Sequence, residues 1–158
     1  MAGRQRHRTS QRDQMRISDV LRVKGSNVIT LTPDTSVRRL LAVLAEHRIG
    51  AVVVSRDGTT VDGIASERDV VRALAEHGEA ALAGPVAAIQ TTDVFSLGPD
   101  AELEDLMRLM TDRRIRHLPV VHEGRLVGIV SIGDVVKNRI DELESDRAAL
   151  THYIEGDR

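Results

Sequence analysis

Apolar positions along the chain fall into two rhythms that alternate and then repeat. Val37, Leu40, Leu41 and Leu44 recur at the spacing of one helix face. Two runs rich in β-branched residues follow, Ala51–Ser55 and Val61–Ala65, separated by the turn dipeptide Asp57-Gly58. Downstream the same order returns: Leu103, Leu106, Met107 and Met110 at helical spacing, then His117–Val121 and Leu126–Val130 around Glu123-Gly124. Ahead of each helix a short apolar run, Val28–Leu31 or Val94–Leu97, precedes a Pro-Asp pair that suits a turn and a helix N-cap. A second helix is expected to start at Ser66 and again at Ser131. The pattern predicts the order β-α-β-β-α, written twice.

The repeat extends to individual residues. Pro33, Asp34, Leu40 and Ile49 recur as Pro99, Asp100, Leu106 and Ile115 at one constant spacing. Past a one-residue deletion, Gly63, Ser66 and Asp69 recur as Gly128, Ser131 and Asp134. So many coincident turn and cap residues mark an internal duplication. The expected units are residues 15–78 and 79–146, between a basic leader at 1–14 and a helical extension and tail at 147–158. Half a chain of this size buries too little apolar surface alone. The two halves are therefore expected to pack face to face as a pseudo-symmetric α/β (α+β) fold. Asp134 to Ile154 reads as helix, with Leu143, Leu150, Tyr153 and Ile154 covering an apolar surface while Glu142, Glu144, Asp146 and Arg147 stay wet.

Composition narrows the chemistry. The chain has 158 residues, is 41% apolar and contains no cysteine. Disulfide scaffolds, Cys-ligated zinc, iron–sulfur clusters and thiol catalysis are thereby excluded. Phe95 and Tyr153 are its only aromatic residues. Aliphatic side chains must build almost the whole core, and stacking of bases on aromatic platforms is not expected. A net charge of -2 gives no general attraction to nucleic acid. No apolar run approaches the roughly 20 residues of a membrane helix, and the charged N-terminus lacks the apolar stretch of a secretory signal. The expected location is the cytoplasm. Arg4, Arg6, Arg8 and Arg12 make the leader basic. It reads as a basic arm for nucleic acid or an anionic surface, as a disordered tail, or as sequence upstream of a start at Met15, where the amphipathic pattern MRISDVL begins.

The duplicated Ser-x-x-Asp is the strongest chemical signal. Ser66 with Asp69, and Ser131 with Asp134, each follow a strand and open a helix. Serine at an N-cap with an acid three residues on resembles a capping box, which needs no ligand. Two copies, each preceded by glycine and two aliphatics, also fit a binding role. Gly63 and Gly128 would allow close approach to the N–H groups of a helix N-terminus, and a carboxylate there can accept hydrogen bonds from a vicinal diol. Catalytic patterns are missing. His7, His47, His77, His117, His122 and His152 show no metal-binding spacing. The chain has no Walker loop, nucleophile elbow or dinucleotide fingerprint. Glu102, Glu104 and Asp105 fall in the first turns of a helix, where acids are expected electrostatically. No enzymatic activity is expected.

The segments GIASERD (63–69) and GIVSIGD (128–134), with RRIRHLPVV (113–121) and LVGIVSIGDVVK (126–137), resemble a pair of cystathionine-β-synthase (CBS) domains, the Bateman module. The resemblance covers about residues 15–146, and LTHYIEG (150–156) suits small stand-alone members. It implies that Ser66, Asp69, Ser131 and Asp134 hold the ribose of an adenine nucleotide such as AMP, ADP, ATP or NAD. It also implies that Arg116 and His117 face the phosphates. Their counterparts in the first copy are Gly50 and Ala51, so two pseudo-equivalent clefts would share one basic and one small, permissive wall. Arg68 adds charge on its own side, where the second copy has Gly133. With aromatics scarce, Ile64, Ile129, Val52 and Leu118 are expected to sandwich the base, while strand-edge backbone near Ser26–Val28 and Thr92–Val94 reads its edge. Pro119 stands where the first copy has Val53, which predicts a difference in strand geometry. The resemblance further implies a regulatory role, and a homodimer in which two modules form a flat disc braced by the terminal helices. The alternative is a ligand-independent dimeric scaffold whose function lies in a protein partner.

Overall fold

The computed structural model describes residues 14–155, so the basic arginines of the leader and residues 156–158 of the tail lie outside the described residues. A first helix, α1 (Ile17–Lys24), precedes the repeats. The first half then runs β1 (Thr30–Leu31), α2 (Val37–His47), β2 (Ala51–Val54), β3 (Gly63–Ser66) and α3 (Glu67–His77). Pro33-Asp34 makes the turn, but the helix cap lies two residues further on, where Ser36 Oγ accepts from the Arg39 N–H at 3.1 Å. α2 ends at Arg48, whose left-handed backbone (φ 53°) turns its N–H back to the Leu44 and Ala45 carbonyls. β1 pairs parallel with β2, and β2 pairs antiparallel with β3 from Ala51↔Ser66 to Val54↔Gly63.

The second half repeats this plan with α4 (Leu103–Arg113), β4 (His117–His122), β5 (Arg125–Ser131) and α5 (Ile132–Glu155). The N-cap of α4 is Glu102 rather than Asp100, and it makes no side-chain cap bond. The strand expected over Val94–Leu97 is not formed, and Leu97 makes a single bridge to Val120. Pro119 explains the loss, because it offers no N–H to that ladder where its counterpart Val53 does. Glu123 and Gly124, at φ 50° and 75°, form the tight hairpin turn that the sequence predicts. α5 continues unbroken through the stretch read as helical.

Two apolar cores result, and each is closed by a segment that leads into the other half. α1 places Ile17, Val20 and Leu21 against Leu103, Leu106, Met110 and Leu118 of the second half. Backbone bonds hold it there: the Ile17 N–H donates to the Ala101 carbonyl at 3.0 Å, and the Leu103 N–H to the Met15 carbonyl at 2.9 Å. Conversely Val86, in a short 3-10 segment (Val86–Ala88) ahead of the second repeat, is buried with Val37, Leu40, Val52 and Val70 of the first. This exchange accounts for the repeated glycines. A Cβ on Gly128 would lie 2.6 Å from Leu21 Cδ2, and one on Gly63 would lie 2.5 Å from Gln90 Oε1 and 2.9 Å from the Thr91 carbonyl oxygen. Both glycines admit a crossing segment, not the ligand they were expected to admit. The whole is the expected mixed α/β (α+β) class, with sheets of three and two strands.

Candidate functional site

A cleft of about 540 Å³ opens between the halves, with Ile64, Ser66 and Asp69 on one side and Ile115, Arg116 and His117 on the other. Small-molecule sites span about 300–1,000 Å³. The first wall is positioned by the passage from β3 into α3. Asp69 Oδ2 accepts the Ser66 N–H at 2.8 Å and the Ser66 hydroxyl at 2.9 Å, while Ser66 Oγ accepts the Asp69 N–H at 3.4 Å. The capping box is therefore present. It uses one carboxylate oxygen only, and Asp69 Oδ1 has no hydrogen-bond partner among the described residues. A half-buried carboxylate oxygen beside a helix N-terminus is an acceptor placed for hydroxyl donors.

The second wall is positioned by the end of α4. Arg114 takes a left-handed backbone (φ 53°), and the chain turns through Ile115 and Arg116 into β4. Gly50 makes room for His117, since a Cβ there would lie 3.1 Å from both Cε1 and Nε2 of the imidazole. Burial pushes the His117 pKa below its ordinary value and the Lys24 charge adds to this, against the opposing pull of Glu67 and Asp134. His117 is thus a neutral donor and acceptor at pH 7, and the positive charge of the cleft comes from its arginines.

The structure brings Gly50, Ile64, Ser66, Arg68, Asp69, Arg116 and His117 together in this cleft. It does not bring Ala51, Val52, Leu118, Ile129, Ser131 or Asp134 there. Val52 and Leu118 are 1% and 0% exposed and belong to the two cores, so neither offers a face to a base. Every residue of β2, Ala51 included, is interior because that strand is covered on both sides. Ser131 and Asp134 repeat the capping box, with Asp134 Oδ2 accepting the Ser131 N–H at 2.8 Å and its hydroxyl at 3.0 Å. The same oxygen also accepts from Lys24 Nζ, which donates in addition to the Ile129 carbonyl at 2.7 Å. Burial alone would raise the Asp134 pKa, but the bonds from Lys24 and Ser131 hold it below the ordinary carboxylate value.

Phe95, Arg72 and Arg114 also line the cleft, although the motifs do not point to them. Phe95 corrects the expectation of purely aliphatic walls. Its ring lies under the Arg113 guanidinium, 4.7 Å from carbon to centroid. Scarcity of aromatics describes the whole chain and says nothing of where the one phenylalanine sits. Arg72 was foreshadowed by its place one turn beyond Arg68 on α3, and Arg114 by its place two residues before Arg116.

The family model of the CBS domain matches residues 17–76 and 86–141. A mitochondrial CBS domain-containing protein of Arabidopsis thaliana is 34% identical over 148 residues, which is 89% of this chain and 72% of the relative. A crystal structure of a CBS-domain containing protein from Agrobacterium tumefaciens aligns with TM-score 0.76 and 44% identity, covering 79% of this chain and 99% of the other. A CBS domain protein from Pyrobaculum aerophilum, solved in complex with AMP, aligns with TM-score 0.68 and 30% identity, covering 76% of this chain and 89% of the other. Among the described residues, no helix is long and apolar enough to cross a membrane. Nor do three or more His, Asp or Glu side chains there form a group that could hold a metal ion. With both repeats matched and the fold shared, this chain belongs to the CBS domain family.

Proposed function

We propose that the chain is a cytoplasmic regulatory module that binds an adenine nucleotide between its two CBS repeats and modulates itself or a partner. One observation carries the reading: Ser66 and Asp69 from the first half converge with Arg116 and His117 from the second on a single cleft. Asp69 Oδ1 accepts from the ribose diol. The Arg116 guanidinium and the neutral His117 N–H donate to phosphate. Ile64 and Phe95 supply apolar surface for the base. A ligand that spans both halves binds one arrangement of them better than another, and to that extent shifts any equilibrium coupled to it. The AMP complex of the Pyrobaculum aerophilum relative supports this ligand class; AMP, ADP, ATP and NAD share the adenosine that the cleft reads. The role is binding, with no catalytic step. Calorimetry of protein freed of carried-over nucleotide, against AMP, ADP, ATP and NAD, tests the reading. At least one should bind at roughly micromolar Kd and lose that binding in Asp69→Ala. Failure of all four to bind contradicts it.

The module also forms a homodimer through α5 in this reading. Ile140, Leu143, Leu150, Tyr153 and Ile154 are 49% to 79% exposed on the single chain, so this stripe is not used against its own module. The same stripe supports the scaffold alternative, in which a protein partner replaces the ligand. That alternative predicts a melting temperature indifferent to every adenylate.

A further inference from the structure

The duplicated motif supplies two carboxylates, and their partners differ. Asp69 Oδ2 is held by Ser66 alone. Asp134 Oδ2 is held by Ser131 and also by Lys24 Nζ at 2.5 Å, in a pair whose side chains are 33% and 23% exposed. Lys24 is the last residue of α1. That helix is seated on the second half by Leu21, which fills the space left by Gly128, and by the Ser18 N–H donating to the Pro99 carbonyl at 2.8 Å. The Lys24 ammonium also caps the Ile129 carbonyl. In the first half the matching carbonyl, of Ile64, accepts the Thr91 N–H at 2.9 Å. Backbone makes the bridge there, and no cation reaches Asp69 among the described residues.

We infer that Lys24 is an internal cation occupying Asp134, the second of the two duplicated carboxylates, so that each chain holds one nucleotide, in the Asp69 cleft only. The inference rests on the proposed reading of Asp69 as a ribose acceptor. A diol approaching Asp134 must displace a charge-assisted bond anchored at both Asp134 and Ile129. Nothing compensates, because Arg116 and His117, the side chains read as phosphate donors, line the Asp69 cleft, whose lining does not include Asp134. With Lys24 removed, Asp134 Oδ2 is freed to accept from the diol of adenosine.

Equilibrium dialysis of the full chain with AMP and with adenosine tests the stoichiometry. Wild type should take one equivalent of AMP, Asp69→Asn should weaken it at least about tenfold, and Asp134→Asn should leave it within about twofold. Lys24→Ala should admit a second equivalent of adenosine. Two equivalents of AMP on wild type, a tenfold loss in Asp134→Asn, or a folded Lys24→Ala that still takes one adenosine overturns the inference. The occupied carboxylate is also readable without ligand, because Lys24 and Lys137 are the only lysines. Reductive methylation with 13C keeps their charge, and Asp134→Asn should move the Lys24 signal while leaving that of Lys137 in place. A Lys24 signal that does not move overturns the inference whatever binds. If the signal moves but none of AMP, ADP, ATP, NAD and adenosine binds any variant, the proposed function fails while the occupied carboxylate stands.

Discussion

His117 sits where four charged neighbours meet: Lys24, Arg116, Glu67 and Asp134. Burial and the cations outweigh the carboxylates, so the folded imidazole titrates below its ordinary value of 6.5. In the unfolded chain it titrates near that ordinary value. Between the two values the unfolded state therefore binds the additional proton, and acid favours unfolding. The contribution to stability is fully present above pH 6.5 and is lost as pH falls through the folded value. Melting temperature followed from about pH 8 down to about pH 5 should fall less in His117→Gln than in the parent. Parallel curves would show that the imidazole is not the group responsible. At this scale the sequence was informative where a signal is local. Ser66 and Asp69 are three residues apart and announce themselves. The Lys24–Asp134 pair spans 110 positions, and no spacing rule connects the two residues.

Elements show the same division. Helix faces, hairpin turns and both capping boxes follow from neighbouring residues, and they were legible. The strand over Val94–Leu97 was lost through Pro119, a residue of the partner strand. The destination of α1 was hidden because an apolar face of Ile17, Val20 and Leu21 fits any complementary core. Its importance is measurable. Ile17 is 0% exposed and Val23 on the same helix is 77% exposed. Ile17→Ala should cost about 2–5 kcal/mol in urea denaturation, whereas Val23→Ala should stay within about 0.5 kcal/mol. Equal effects would mean that α1 does not close the second core. Gly63→Ala addresses the other crossing. The Thr91 carbonyl in its way is bonded to the Ile64 N–H at 2.9 Å and cannot withdraw freely. A loss of about 1–3 kcal/mol is expected, and a neutral substitution would refute the close approach.

For the whole molecule, exchange of the leading segments makes the halves interdependent, since neither core is complete without a piece that precedes the other repeat. Unfolding should accordingly be a single transition. The exposed stripe of α5 extends the argument to assembly. Sedimentation of the 17.3 kDa chain should give twice that mass, and Leu143→Glu should return it to one. A monomeric parent would leave the stripe to a different protein. Above both stands the claim that one cleft, built from both repeats, binds an adenine nucleotide. Titration calorimetry of AMP, ADP, ATP and NAD into stripped wild-type protein, and of whichever binds into Asp69→Asn, tests it most directly. One equivalent per chain on wild type, weakened at least about tenfold in the variant, is the predicted result. No binding of any of the four to wild type, or undiminished affinity in Asp69→Asn, would contradict it.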